Sequence, residues 1–316
     1  MISPVTRARA VGIAAGLLAD SLLGDPHRGH PVAGFGQVAA RLEWITYADS
    51  RRAGTMHTGA LLTALAAAGL TAEHAARRSP LATAALTAAA TFVAVGGTSL
   101  CRVGDRLSEV LDAGDIDGGR RLLPSLCGRD PSVLDAEGLT RAAAESIAEN
   151  TSDAQVAPLL WAAVAGVPGL LVYRGANTLD AMIGNRSPRY ARFGWAAARL
   201  DDALNYLPAR LTGLLTALCA PVAGGSPAAA VRAWRLDARN HPSPNAGVAE
   251  AAFAGALGVR LGGPTQYAHE LQIRPTLGDG RSPAVADLRR AVRLSRAVQT
   301  AAGVLAVTVA VQRRRP

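Results

Sequence analysis

The sequence predicts an all-α fold: a polytopic integral membrane helical bundle with its polar residues in loops between apolar helices. Three observations lead there. Of the 316 residues, 49% are hydrophobic but only 4% aromatic, so alanine, leucine, valine and glycine supply the apolar surface. Alanine and leucine are the best helix formers, and β-branched runs are few. The mean hydropathy is +0.17, a positive value unusual for a water-soluble enzyme. Several uncharged runs also approach the roughly 20 residues that a helix needs to cross a bilayer.

The first apolar run, Ala10 to Ala19, follows Arg7 and Arg9 and resembles the start of a signal peptide. Asp20 interrupts it and no small-residue cleavage site follows, so it is expected to be retained. A second run starts at Gly59 and passes Leu70, flanked by Arg51, Arg52, Arg77 and Arg78, and it takes in Glu73 and His74. The clearest crossing is Leu81 to Leu100, uncharged throughout, with Arg77 and Arg78 before it and Arg102 after it. From Arg102 to Asp153 the chain is polar and helical. RVGDRLSEVLDAGD has apolar residues at helical spacing, and Gly114, Gly118, Gly119, Pro124 and the turn at Asp130-Pro131-Ser132 punctuate the rest. A third run, Val156 to Tyr173, is broken by Pro158 and Pro168, and a fourth, Leu204 to Ala223, contains Arg210. The last, Ala297 to Val311, is short for a span and ends in Arg313-Arg314-Arg315, which by the positive-inside rule sets the C-terminus in the cytoplasm. No stretch alternates well enough to predict a strand. A single membrane-embedded domain over residues 1–316 is expected. The competing reading of such alanine-rich runs is a set of buried helices in a water-soluble bundle.

The net charge is +9 and the chain contains no lysine, so every basic side chain other than histidine is arginine. Codon bias in a GC-rich genome accounts for most of that. The planar arginine fork also suits carboxylates and phosphates. The arginines are dispersed and no aromatic stacking platform accompanies them, so no nucleic acid partner is expected. Adhesion to an anionic membrane surface fits better. The cysteines, Cys101, Cys127 and Cys219, are widely spaced, which supports neither a disulfide framework nor a zinc site, and all three are expected to be small buried residues.

Four polar motifs stand out. In the first, Asp20 to Pro31, Gly24 and Pro26 bracket Asp25, and Pro31 suits the first turn of a helix running towards Glu43. The loop presents Asp25, His27, Arg28 and His30 together, as a site or as a capped helix corner. In the second, Arg141, Glu145, Glu149 and Asp153 recur every four residues and make one charged stripe on a helix. A solvated ion-pair face is the bland alternative, weakened because an uncharged segment follows at once. The third holds Tyr173, Asn177, Asp180 and Asn185, then Arg199, Asp201, Asp202, Asn205 and Arg210, with Pro208 expected to disrupt the helix locally. Arg199 and Asp202, three residues apart, also read as a structural ion pair. In the fourth, Pro242 and Pro244 hold His241 to Pro244 out of a helix. Ser243 then caps a helix starting at Pro244 that carries Asn245, Gly247 and Glu250, and its N-terminus reads as an anion site or as simple capping of a small-residue helix, which accounts for Ser243 and Pro244 but not for His241, Asn245 or Glu250. A last loop, Arg274 to Arg281, reads as a phosphate contact or a plain surface turn. No G-x-x-x-x-G-K-[ST] is present, so a standard P-loop is excluded.

These segments resemble the CobD/CbiB family, the adenosylcobinamide-phosphate synthases. GDPHRGHPVAGFG, ESIAENTSDAQVAPLLW, NTLDAMIGN, FGWAAARLDDALNYLPARLTG and HPSPNAGVAEAAFAGALGVRLGG follow one another in the family's order across nearly the whole chain. One departure follows Met182, where the family often has Gly-Tyr-Lys and this chain has Gly184-Asn185-Arg186. The resemblance implies an ATP-dependent amide ligase in the bacterial inner membrane, its active site facing the cytoplasm. It would join adenosylcobyric acid to an aminopropanol phosphate or similar amino-alcohol phosphate. The implied cofactors are ATP and Mg2+. The implied partners are the corrinoid, the amino-alcohol phosphate, membrane lipid, and a second copy of the chain or other late cobalamin-pathway enzymes. On that basis Asp201, Asp202 and Asp153 are expected at the metal, and Arg199, Arg210, Ser243 and Asn205 at the nucleotide. Asp25, His30, Glu145, Glu149, Asn177, Asp180, His241, Asn245 and Glu250 are expected in the chemistry, with His241 as base for the amine. All four motifs are expected to converge on one pocket at the membrane edge. Two rivals stay open: a prenyl-type transferase using Asp201-Asp202-x-x-Asn205, which lacks a second Asp-rich motif, and a non-catalytic membrane transporter or sensor.

Overall fold

In the computed structural model, residues 4–26, 29–185, 187–266 and 271–312 are described. His27, Arg28, Arg186 and the Arg313–Arg315 cluster, all singled out above, lie outside them. The helices in chain order are α1 (Pro4–Leu23), α2 (Pro31–Thr46), α3 (Arg51–Ala76), α4 (Pro80–Ala94), α5 (Gly97–Asp112), α6 (Ile116–Leu122) and α7 (Ala136–Thr151). They continue with α8 (Ala157–Ile183), α9 (Tyr190–Phe193), α10 (Trp195–Cys219), α11 (Pro227–Asp237), α12 (Ala246–Leu257) and α13 (Val285–Gln312). Their starts are written in the sequence. The side chains of Ser50, Ser79 and Ser226 accept from the N–H three residues on, at 3.2 Å each, and Asp115 and Asp135 do the same at 2.7 and 2.8 Å. Proline follows at once at Pro80 and Pro227, where its fixed φ suits the first turn.

Four segments are long and apolar enough to cross a membrane: Pro80–Asp112, Ala136–Ile183, Trp195–Ala223 and Val285–Gln312. The chain is a polytopic helical membrane protein. Large apolar side chains such as Leu22, Trp44, Ile45, Leu207 and Leu218 stand exposed, as a lipid solvent allows.

Several expectations are corrected. The run Leu81–Leu100 is not one helix, because Val95 turns extended and α5 starts anew at Gly97. Gly59–Leu70 lies in α3, which is not among the four crossing segments. The third run breaks at Gly166 (φ 70°, ψ −158°), two residues before Pro168, while Pro158 lies in the first turn of α8. α10 runs on through Pro208, which has no N–H for the Leu204 carbonyl, and Trp161 Nε1–H donates to that oxygen at 3.2 Å. The last run is not short, since α13 begins at Val285. A strand pair exists where none was expected: β1 (Leu261–Gln266) pairs antiparallel with β2 (Leu271–Leu277). Its sequence is rich in Gly and Pro and a bulge falls between Leu261 and Gly263, so no alternation marks it. Cys101 is buried, but Cys127 and Cys219 are only partly so.

The Cα positions group the chain into two compact units. The first comprises Met1–Gly96, Ala157–Asn205 and Ala302–Pro316, the second Gly97–Val156 and Tyr206–Ala301. In the first, α1 lies tightly along α4. A Cβ at Gly12 would fall 2.6 Å from Thr87 Cβ, and one at Gly16 would fall 2.5 Å from the Ala88 carbonyl oxygen. This is the small-residue helix packing that membranes favour, where lipid removes the hydrophobic drive for association. Leu61, Leu62, Leu179, Ile183 and Phe193 form this unit's core. At the Gly166 break, Glu73 Oε1 accepts both the freed Val167 N–H (3.0 Å) and Arg9 Nη2 (2.9 Å), satisfying backbone that the kink would leave bare. In the second unit α12 is buried along its whole length. α11 packs against it, Gly255 allowing contact with the Ala229 carbonyl. Gly104 lets α5 meet Val292 of α13 and Ile147 of α7.

Candidate active site

The second unit gathers ionisable side chains from several elements. α7 presents Glu145 and Glu149, α12 presents Glu250, the loop before α12 presents His241, and β2 presents Arg274. Arg129 comes from the segment between α6 and α7. Glu145 is ion-paired with Arg129, both buried, and its other oxygen accepts the Gly262 N–H at 2.7 Å. That donor requires glycine: φ is +81°, and a Cβ would lie 2.0 Å from the Pro275 carbonyl oxygen. Arg141, at the start of the predicted stripe, donates to the Pro264 carbonyl at 2.8 Å and ties the hairpin to α7. Glu149 interacts electrostatically with Arg274, Arg129 and Glu145.

Glu250 lies at the centre. Its Oε1 is 3.7 Å from His241 Nε2 and 4.0 Å from Arg274 Nη1. Neither of its oxygens, nor His241 Nε2, has a hydrogen-bond partner among the described residues, and both side chains are buried. Burying such groups unpaired costs free energy, which makes the arrangement a candidate for binding or chemistry. His241 Nδ1 lies 3.1 Å from both the N–H and the carbonyl oxygen of Ser243, so either tautomer is accommodated and Nε2 can donate or accept. Gly247 permits this approach, since a Cβ there would fall 2.5 Å from His241 Cβ. Burial, reinforced by the Glu145 and Glu149 carboxylates and opposed by Arg274 and Arg129, holds Glu250 well above the usual carboxylate range. Burial also pulls His241 below the ordinary histidine value, with the Ser243 backbone contact and Glu145 opposing and Arg274 assisting. The pair therefore favours its uncharged form. At Arg129 burial works against the charge, but Glu145 outweighs it and keeps the guanidinium more basic than usual.

The remaining predicted residues fall as follows. Asp153 leaves the four-residue stripe because the π-helical stretch Ser152–Val156 inserts extra residues per turn there. Asn245, not Ser243, precedes the first residue of α12, which starts two residues later than predicted. Ser243 Oγ still accepts from the N–H groups of Asn245 (3.3 Å) and Ala246 (3.2 Å), so part of the expected anion site is already taken. Asn245 Oδ1 receives Arg210 Nη1 at 2.6 Å, and the Arg210 guanidinium also lies over the Tyr206 ring. In the first unit, His30 caps α2, its Nδ1 accepting from Val32 N–H at 3.2 Å, and Asp25 lies 3.7 Å from its Nε2. Asp180 lies half-buried near the end of α8. Asn177, Asp201 and Asn205 form a polar row with Tyr173. Asp201 accepts from Asn177 (3.4 Å) and Asn205 (3.0 Å), while Asn205 accepts from the Tyr173 hydroxyl at 2.9 Å. Arg199 and Asp202 are 3.7 Å apart, with Arg199 mostly exposed, the geometry of a weak surface pair.

Sequence reasoning missed Arg129 and Gly262 and misread Arg274, which is not in a turn but within β2, beside Glu250. Arg129 lies in irregular chain next to the Asp130-Pro131 turn, where no periodicity flags it. Among the described residues no group of three or more His, Cys, Asp or Glu side chains is arranged to hold a metal ion.

Comparison with known proteins adds a lineage. A family model described as CobD/Cbib protein matches residues 13–295. A cobalamin biosynthesis protein CobD from Mycobacterium tuberculosis (strain ATCC 25618 / H37Rv) is 64% identical over 317 residues, covering 100% of both chains. Proteins of the same name from Chromobacterium violaceum and Rhodobacter capsulatus are 44% and 46% identical. The first covers 88% of this chain and 89% of its own, the second 85% of both. No solved structure matches.

Proposed function

Because the chain belongs to the CobD/CbiB family of cobalamin biosynthesis, we propose that it is the ATP-dependent ligase joining adenosylcobyric acid to an amino-alcohol phosphate. The product is adenosylcobinamide phosphate, made in the bacterial inner membrane at a site open to the cytoplasm. The observation that carries this reading is the buried cluster of Glu145, Glu149, Glu250, His241, Arg129 and Arg274. Carboxylates attract an ammonium, arginines attract phosphate or carboxylate, and a neutral histidine accepts a proton. Amide synthesis from an acid and an amine needs all three.

The steps balance as follows. A free carboxylate is a poor acyl donor, so its oxygen takes the γ-phosphoryl group of ATP and ADP leaves. The amine attacks the acyl phosphate, the C–N bond forms, and inorganic phosphate departs with the bonding electrons. His241, uncharged, takes the amine proton at Nε2, the atom that lies 3.7 Å from Glu250. Arg129 holds Glu145 in place, and Arg274 offers positive charge beside Glu250. Magnesium binds oxygen ligands and commonly keeps water and phosphate oxygens, so it needs no complete protein cage. Asp202, the more open of the adjacent pair, is the carboxylate proposed to meet it, since both Asp201 oxygens are taken by Asn177 and Asn205. The metal would neutralise charge on the phosphates. Arg199, Ser243 and Asn205 stay proposed on the nucleotide side, with Arg210 left for the phosphate of the amine and Asp25, His30, Asn177, Asp180 and Asn245 as further contacts.

The test is product analysis. Membranes containing the protein are incubated with adenosylcobyric acid, ATP and an amino-alcohol phosphate, and the expected result is adenosylcobinamide phosphate with one ADP per amide. Unchanged corrinoid with folded protein overturns the reading. Asp202→Asn is expected to raise the magnesium requirement, and wild-type rates at low magnesium would remove that residue from the metal.

A further inference from the structure

We propose that a cleft on the second unit seats the phosphorylated amine, gripping its phosphate with Arg210, Arg235 and Arg239 and directing its amine towards His241 and Glu250. The inference rests on the ligase reading and adds to it where one substrate lies.

The cleft encloses about 420 Å³, and its lining includes Arg210, Trp234, Arg235, Arg239, His241 and Pro244. No aspartate or glutamate lines it. Its arginines are not neutralised. Arg210 is fixed by neutral partners, the Asn245 side-chain oxygen at 2.6 Å and the Tyr206 carbonyl at 3.1 Å, and by the Tyr206 ring. Arg235 and Arg239 are exposed and form no ion pair with a described residue, whereas Arg232, on the same helix as Arg235, is paired with Asp279 at 3.1 Å. Unpaired arginines converging on one cleft suit a phosphate dianion, which accepts paired N–H donors from each fork. Trp234 is packed against Gly213 of α10 and forms a fixed wall.

The same cleft reaches the acid cluster. His241 lines it, and His241 Nε2 faces Glu250 with no hydrogen-bond partner for either among the described residues. The cleft thus passes from cationic arginines to the His241–Glu250 pair, where an amine can be hydrogen-bonded. A short molecule with phosphate at one end and an amine at the other matches that arrangement. A nucleotide or an anionic lipid headgroup shares only the phosphate half.

The experiment uses the purified full-length protein in detergent, with O-phosphoethanolamine as probe and calorimetry as readout. The wild type is expected to bind it, with ethanolamine binding far more weakly. Arg235→Gln and Arg239→Gln should each weaken binding about tenfold, the effect of one lost charge-assisted contact. Arg239→Lys should recover part of it, and Arg232→Gln should change nothing. All three positions are on the surface, and an unshifted melting temperature shows that each variant is folded. Equal binding by the Arg235 and Arg239 variants overturns the proposal. So does displacement of the probe by ATP, which assigns the cleft to the nucleotide, or by phosphatidylglycerol vesicles, which assigns it to lipid. The two readings fail separately. A wild type that binds the probe but forms no amide removes the ligase reading and leaves the cleft. Variants that form the amide with unchanged KM for the phosphorylated amine remove the cleft and leave the ligase.

Discussion

Two buried polar groupings, one in each compact unit, are built on opposite principles. In the first unit Asp201 is closed: both of its oxygens accept amide protons, from Asn177 and Asn205, and Asn205 in turn accepts from Tyr173. In the second unit Glu250 is open: among the described residues neither of its oxygens, nor His241 Nε2, has a hydrogen-bond partner. A satisfied network in an apolar setting holds helices together and contributes modestly. An unsatisfied one is a cost that persists when a ligand or a proton transfer uses it. Satisfaction of hydrogen bonds, rather than the presence of acids, separates the structural row from the candidate site.

The contrast is open to measurement. The largest effect is expected where a buried charge loses its partner. Arg129→Met should destabilise the protein by about 3–5 kcal/mol, because Glu145 stays buried and unpaired. The double variant Arg129→Met, Glu145→Met should regain most of that stability while remaining inactive, as read by thermal unfolding and ligation together. Next comes Glu250→Gln. The rate should fall by about two to three orders of magnitude, the range of a lost proton-transfer group, while the fold gains stability. The sign follows from Glu250 being held above its ordinary value of 4.5. Its protonated form is favoured in the fold, so wild-type stability declines as pH rises from there towards the raised value. The glutamine variant escapes that decline, and a stability difference independent of pH would contradict the raised carboxyl. His241 acts on the other side: its lowered value removes stability as pH falls below 6.5, and His241→Gln should flatten that acidic limb.

Gly247→Ala should have a smaller effect. Its Cβ would crowd His241, so the rate should drop about tenfold for a displaced group with little change in the KM for ATP. The smallest effect is expected in the closed row. Asp201→Asn should cost about 1 kcal/mol, the scale of a single hydrogen bond, and leave the pH profile unaltered. A large rise in the magnesium requirement would move Asp201 out of the structural row and into the chemistry.

The motif residues themselves were legible in the sequence. Glu145, Glu149, His241 and Glu250 stand out because acids and a histidine beside uncharged helices are costly to keep, and the structure brings these four together. The same rule selected Asp201, whose two oxygens are occupied by amides. Composition cannot separate the two cases, because the partners that satisfy a carboxylate come from elsewhere in the chain.

The helical, membrane-spanning class follows from composition and the length of apolar runs, both local properties, and so do the caps at Ser50, Ser79, Asp115, Asp135 and Ser226. Which charges meet is not local. Arg129 reaches Glu145 across a turn, Gly262 delivers its N–H from a strand that no alternation announced, and Arg274 approaches Glu250 from β2. Those contacts join segments far apart in the chain, so folding brings them together and no spacing along the chain encodes them.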